Sequence, residues 1–303
     1  MNRRDFLQTS SASAALLAGG SLATAAPASV KLAVKPKLKL AVKYGMIGAG
    51  KNPQEKLELI KKIGFEGVEI DSPSRLNLDE ANAAQKATGI KIHGVIDSVH
   101  WNATHTLSHP DPAVREKGLK ALLGAIADAQ KVGADTVLLV PGVVREETFN
   151  GKKEKVTYEQ CYERSQAEVK KALPDAEKAN IKIAIEVVWN NFITKPEQMV
   201  QYVDDFKSPF VGAYFDCSNM VKYGVPSADW IRKLGKRMLK FDFKGYSKSK
   251  QWVDIGQGDE GWPEILKALA EIGYNGWATS EVGGGGEDHL KKVYDQMKTV
   301  LEQ

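Results

Sequence analysis

The chain has 303 residues, 43% of them hydrophobic and 26% charged, a globular balance that excludes a disordered, collagenous or polytopic membrane protein. Its 42 Lys and Arg against 38 Asp and Glu leave a formal charge of +4 with no long basic run, so nucleic-acid binding has no electrostatic support. Two cysteines, Cys161 and Cys217, and five histidines exclude a Cys-based zinc framework, so any metal site must lean on carboxylates.

In chain order, residues 1–26 read as a twin-arginine signal peptide. Arg3-Arg4-Asp5-Phe6-Leu7 carries the paired arginines, a mild Ala/Gly-rich stretch follows, and Ala23-Thr24-Ala25 offers a small-residue cleavage site. The apolar stretch is too short to span a bilayer, so no membrane span is expected and the mature protein should be periplasmic or otherwise extracytoplasmic. Residues 27–38 read as a Pro/Lys-rich linker. From 39 to 303, apolar β-branched runs alternate with runs of helical period. The predicted strands are 39–47, 67–70, 90–96, 136–141, 181–188, 211–216, 238–244 and 276–282. The predicted helices are 53–63, 78–87, 112–132, 158–179, 196–206, 228–236, 262–272 and 287–301. Pro53 and Pro112 follow Asn52 and Asp111 at helix starts, and Gly64, Gly133 and Gly273 stand just past helix ends. Eight strand–helix units with near-continuous apolar strands predict an α/β chain closed into a single (β/α)8 TIM barrel. An open doubly wound sheet is the competitor, but Gly45, Gly48 and Gly50 lack the dinucleotide-binding spacing.

Function in such a barrel sits where the strands end. Strand two closes on Glu69 and Asp71, and strand three leads to Asp97, His100 and Trp101. Glu186, Asp216, Asp242 and Glu281 then come from four successive strands, each interrupting an apolar run. One such acid alone is usually solvated or paired with a lysine. Four at one mouth repel unless something positive lies among them. A divalent cation is the economical answer, and an all-oxygen donor set favours Mn²⁺ or Mg²⁺ over Zn²⁺. Lys244 either stabilises an oxyanion or neutralises Asp242. Trp101, Trp189 and Trp252 offer an apolar wall for a sugar ring, against plain packing as the alternative. His100, in a polar loop, is the best acid–base candidate that is not a ligand, His93 reads as structural, and His105 and His109 read as surface. Gly283–Gly286 reads as a flexible loop, and both cysteines as free thiols.

The segments GFEGVEID (64–71), IAIEVVWN (183–190), YFDCSNM (214–220), KFDFKGY (240–246), IGQGDEGW (255–262) and IGYNGWATSE (272–281) together resemble the xylose-isomerase-like barrels of sugar isomerases and epimerases. The resemblance covers roughly residues 40–300. It implies Glu186, Asp216, Asp242 and Glu281 as metal ligands, with Asp242 where the family keeps a histidine. It also implies Glu186 and Glu281 as the catalytic acid–base pair, acting beside a carbonyl through a metal-bound enediolate. The tagatose-epimerase branch has a substrate-binding His three residues after the strand-six acid, where this chain has Asn219. Six residues after the strand-seven ligand it has an Arg, where this chain has Lys248. Glu69, His100, Trp101, Trp189, Asn219, Lys244 and Lys248 are accordingly the expected substrate-binding residues. The expected ligand is a small sugar or keto-sugar, unphosphorylated given the export signal, and a homo-oligomer is compatible with the sequence. Two other readings stay open: a 3-keto-glycoside lyase expelling the glycosidic oxygen from the same site, and a non-catalytic sugar-binding barrel. The DNA-repair endonuclease branch of the fold needs several histidine ligands, which this chain lacks.

Overall fold

The computed structural model describes residues 35–303; the expected signal peptide and the linker up to residue 34 lie outside the described residues. The barrel strands are β1 (Lys39–Lys43), β2 (Gly67–Ser72), β3 (Lys91–Asp97), β4 (Thr136–Leu139), β5 (Lys182–Glu186), β6 (Val211–Asp216), β7 (Met238–Phe243) and β8 (Trp277–Ser280). The helices are α1 (Pro53–Ile63), α2 (Leu78–Thr88), α3 (Pro112–Val132), α4 (Tyr158–Ala179), α5 (Pro196–Asp204), α6 (Ser227–Leu234), α7 (Trp262–Glu271) and α8 (Glu287–Leu301). The strands pair in parallel in the order β1-β8-β7-β6-β5-β4-β3-β2 and close on themselves, the (β/α)8 barrel that the alternation predicts. No helix among the described residues is long and apolar enough to cross a membrane.

Local chemistry sets the boundaries. The Asn52 side chain accepts from the Glu55 N–H at 2.9 Å ahead of Pro53, and the Asp111 side chain does the same for Ala113 at 2.8 Å. Thr157 and Gln160 form a reciprocal capping box at the start of α4. Helices bury one stripe each, such as Leu290, Val293, Met297 and Val300 on α8, against the outer face of the sheet.

Three features depart from the sequence expectation. The predicted strand 39–47 stops at Lys43, because Tyr44–Met46 turn into a short 3₁₀ helix closed by Ile47 N–H donating to the Tyr44 carbonyl at 3.1 Å. Two antiparallel hairpins, Glu146–Phe149 with Lys152–Lys155 and Tyr246–Ser247 with Gln251–Trp252, interrupt the expected loops. The glycine run is not a free loop. Gly48 N–H donates to the Gly285 carbonyl at 2.8 Å and Gly285 N–H to the Met46 carbonyl at 3.0 Å, clasping the end of β8 to the end of β1. A Cβ on Gly284 would stand 2.7 Å from the Met46 backbone, so the approach itself requires glycine.

The barrel interior is divided. Ile96, Leu138, Ala184 and Tyr214 fill the β3–β6 arc with an apolar cluster. The β7–β8–β1–β2 arc is polar. Alternate β7 residues point inward, so Lys240, Asp242 and the following Lys244 mark three levels. At the lowest, Lys240 Nζ reaches Asp135 Oδ1 at 2.7 Å and His93 Nδ1 at 3.1 Å, while His93 stacks on Trp277. At the middle level, Lys43 Nζ lies 2.6 Å from Glu69 Oε2 and 3.0 Å from Asp242 Oδ2. Gly94 leaves room there, since a Cβ on it would meet Glu69 Oε1 at 2.6 Å. The top level is the mouth.

Candidate active site at the carboxyl ends of the strands

Glu186 ends β5, Asp216 ends β6, Asp242 is the penultimate residue of β7, and Glu281 directly follows β8. One carboxylate oxygen from each lies within 4.8 Å of the others. Asp216 is held by its own turn: Oδ1 accepts the N–H groups of Ser218 at 2.7 Å and Asn219 at 2.9 Å. That leaves Oδ2 to Lys244 Nζ at 3.1 Å, and the same ammonium reaches Glu281 Oε2 at 2.7 Å. Glu186 Oε1 accepts from the Asn219 amide at 3.3 Å. Asp242 Oδ1 contacts the Tyr214 hydroxyl at 2.7 Å. Its Oδ2 faces Lys43 as an ion pair but is buried with no hydrogen bond directed at it.

This electrostatic arrangement separates the two glutamates. Burial, then the charges of Glu281 and Asp216, raise the Glu186 carboxyl well above its ordinary value. Burial acts on Glu281 in the same direction, but Lys43 and Lys244 outweigh it and hold that carboxyl low. Its side chain is still 35% exposed, whereas Glu186 is buried. Asp242 is raised well above its ordinary value, first by burial and against the pull of Lys43. Burial opposes the charge on Lys244, yet Asp216, Glu281 and Glu186 raise its pKa and keep it an ammonium.

Four convergent carboxylate oxygens fit a hard cation. Oxygens about 2.1 Å from such an ion lie roughly 3–4.3 Å apart, close to the spacing here.

The structure gathers most of the residues expected to touch substrate. Trp189 Nε1 donates to the Asn219 carbonyl at 2.9 Å, and its ring stacks on Trp252 with centroids 5.0 Å apart. Tyr246 meets both indoles edge-on, and Lys244 Nζ lies 5.0 Å from the Trp252 centroid. Trp101 stands edge-to-face with His100 and is 52% exposed. His100 is buried, and desolvation lowers its pKa to about 3, so the ring is neutral at physiological pH. Glu69 is buried in the Lys43–Tyr214–Asp242 network and so touches the carboxylate cluster only through the partners of Asp242. Lys248 is exposed on the second hairpin, its backbone N–H bonded to Asp259 Oδ2, outside the cluster. His109 is a correction: it is buried, with Nδ1 accepting from the Asp111 N–H. The rim of the site is also braced by a residue that sequence reasoning passed over. Buried Glu260 receives the Ser218 hydroxyl at 2.8 Å and the Tyr246 N–H, tying the β6 turn to the second hairpin. Lys43 and Tyr214 were likewise missed; Tyr214 stands two residues before Asp216 on the same strand, whereas Lys43 has only Ala41 and Gly45 at that spacing.

Asp97, at the end of β3, gives a direct test of burial. Desolvation lifts its pKa to about 7, partly offset by the Val99 N–H. Its unfolded value is about 3.9, so the native state binds the proton more tightly. Stability is therefore greatest in acid and falls as pH rises from about 4 to about 7, by up to about 4 kcal/mol. Asp97→Asn should raise the melting temperature at pH 8 and not at pH 4, read by calorimetry. An equal shift at both pH values would count against this account.

A model of the xylose isomerase-like TIM barrel family matches residues 57–302. L-ribulose-5-phosphate 3-epimerase UlaE of Escherichia coli (strain K12) is 26% identical over 196 residues, which cover 61% of this chain and 65% of that protein. The match thus spans slightly less than two thirds of the relative. The structure of an L-ribulose 3-epimerase superposes with a TM-score of 0.73 at 16% identity, over 88% of this chain and 95% of that one. The 3-keto-D-glucoside 4-epimerase YcjR of E. coli, in its apo form, superposes with a TM-score of 0.72 at 16% identity, over 88% and 100%. These two likenesses are likenesses of fold.

Proposed function

The chain belongs to the xylose isomerase-like TIM barrel family, and from that membership and the geometry of its mouth we propose that it is a metal-dependent sugar epimerase or isomerase. The carrying observation is the set of four carboxylates within 4.8 Å, with two of its glutamates driven to opposite protonation preferences. Two titratable groups pushed apart in this way are suited to act as base and acid. Glu281, kept ionised by Lys43 and Lys244, takes the proton from the carbon beside the carbonyl. The electron pair moves to the carbonyl oxygen, where the Lys244 ammonium offsets the developing charge. Glu186, which holds a proton readily, returns one to the same carbon for epimerisation; for isomerisation it protonates the former carbonyl carbon, while the proton of the neighbouring hydroxyl passes to the former carbonyl oxygen and the neighbouring carbon becomes the new carbonyl. Asn219 orients Glu186, and the Ser218 and Asn219 N–H groups fix Asp216. Glu186, Asp216, Asp242 and Glu281 would hold the cation, Mn²⁺ or Mg²⁺ by donor chemistry, which supplies a Lewis acid at the carbonyl. The name of the E. coli relative supports the reaction class. The twin-arginine pattern read in residues 1–26, which lie outside the described residues, supports action outside the cytoplasm on an unphosphorylated sugar or keto-sugar.

The test is incubation of the native protein in D₂O with free ketohexoses and with a 3-keto-glucoside, beside elemental analysis. The expected result is about one divalent ion per chain, deuterium at the carbon beside the carbonyl, and epimer or isomer formation. A protein that holds no divalent ion and exchanges no deuterium overturns the proposal. Release of the aglycone without epimer would replace it with the lyase.

A further inference from the structure

Lys244 holds oxygens that a cation needs. Asp216 has a single oxygen to give, since the Ser218 and Asn219 N–H groups take its Oδ1. The Lys244 ammonium lies 3.1 Å from the other, Oδ2, and 2.7 Å from Glu281 Oε2. Two of the four clustered carboxylates are thus joined by a positive charge carried on the chain itself. A divalent ion about 2.1 Å from both of those oxygens would lie no more than about 4 Å from the ammonium, whichever side of them it took. At that separation, in a partly buried site, a doubly charged and a singly charged cation repel strongly. One of the two must give way.

The fold provides a place for the ammonium to go. A cavity of about 590 Å³ opens between α8 and the segment after β7, with Lys244, Trp252, Asp254 and Glu281 in its wall. Lys244 Nζ is 5.0 Å from the Trp252 ring centroid, and an indole face is the strongest aromatic partner for an ammonium. The carboxylate of Asp254 lines the same cavity, paired with Lys292 at 2.6 Å. Lys43 has no such freedom. It is buried and gripped by Glu69 at 2.6 Å and Asp242 at 3.0 Å. The two lysines of the site therefore differ in kind, one fixed in the barrel interior and one at the edge of open space.

We propose that Lys244 is an internal cation that sets the metal affinity of the site: its ammonium holds Asp216 and Glu281 together, yields both to a divalent ion, and turns into the α8 cavity onto the face of Trp252. Displacement presupposes the divalent ion of the proposed function and adds a competitor built into the chain. The ion takes over the charge balance that Lys244 supplies. Released from the carboxylates, the ammonium has its N–H donors free for a substrate oxygen.

The test is cation binding, read without turnover. Native protein and Lys244→Met, both freed of metal with a chelator, are titrated with MnCl₂ by calorimetry, and each is melted with and without the ion. Lys244→Met should bind Mn²⁺ about tenfold or more tightly than the native protein, because the competing charge is gone. Its melting temperature should also rise more on adding the ion, since the metal-free variant has lost the charge that holds its carboxylates together. Lys244→Gln should behave in the same way and serves if the methionine variant does not fold. A crystal structure of the native protein with Mn²⁺ should show Nζ beyond hydrogen-bond distance of Asp216 and Glu281 and closer to Trp252. Equal affinities, or a bound ion with Lys244 still bonded to both carboxylates, overturn displacement and leave the cation site standing. Absence of Mn²⁺ binding by native protein and variants alike overturns the cation site, and displacement with it.

Discussion

Glu186→Gln is expected to lower deuterium exchange at the substrate carbon by about 10³-fold, within the roughly 10²–10⁴-fold contribution of a positioned acid or base. Stripped of divalent ions, the variant should melt no lower than the equally stripped parent, and higher above neutral pH. The reason lies in the direction of the shift. A buried carboxyl whose native pKa is raised above its unfolded value costs stability as pH rises between the two. Glutamine keeps the shape and removes the titration. Loss of activity with a gain in stability is the signature of a residue kept for chemistry rather than packing. Glu281→Gln should lose a similar factor in exchange with little change in melting, because that side chain is partly exposed and its close partner is Lys244. A Glu186→Gln protein that still exchanges at the parental rate would remove Glu186 from the mechanism.

Lys43→Met should be the most damaging change to stability. Lys43 is buried, and although burial opposes its charge, Asp242, Glu69 and Glu281 raise its pKa and keep it an ammonium. Removing it leaves Glu69 and Asp242 facing each other through the Tyr214 hydroxyl without their shared counter-charge. Breaking one side of a buried ion pair costs about 3–5 kcal/mol. At about 2–4 °C per kcal/mol for a domain of this size, the melting temperature should fall by about 10 °C. Adding Glu69→Gln to the same chain should restore most of that loss, because the uncompensated charge goes with it. A single variant melting within about 2 °C of the parent would show that the network is solvated rather than load-sharing.

Sequence signals reached far into this molecule where the determinants are local. Helices 53–63, 112–132 and 158–179 run between the expected residues, since Asn52, Asp111 and Thr157 each satisfy the first free N–H groups directly, and 287–301 does so with acidic Glu287 and Asp288 in its first turn. Strands one and five were drawn too long for a physical reason. Met46 and Ile47 stay apolar and buried across the 3₁₀ turn that interrupts the first strand, and Val187 stays buried after β5 has ended, so burial continues where the regular ladder does not. The hairpin at Glu146–Lys155 was invisible because its strands are four residues long and mostly charged. The carboxylate quartet was legible because each acid breaks an apolar strand. The partners of those acids were not. Lys43 looks like the polar end of an ordinary strand, and only closure of the barrel brings it to Asp242. The Trp189–Trp252 stack likewise depends on loops from different parts of the chain meeting above the strands.

The seam between β1 and β8 sets a timetable for synthesis. Ser280 Oγ bonds the Ala41 carbonyl across 239 residues of sequence, and the glycine clasp extends the same join. At about 5–20 residues per second, the first strand waits roughly 10–50 s on the ribosome before its last neighbour exists. During that interval β1 offers an open apolar edge, the feature that invites wrong pairing. Closure is thus postponed until almost the whole chain has been made: Glu69 meets Lys43 as soon as β2 pairs with β1, whereas Asp242 of β7 acquires that counter-charge only when the ring shuts.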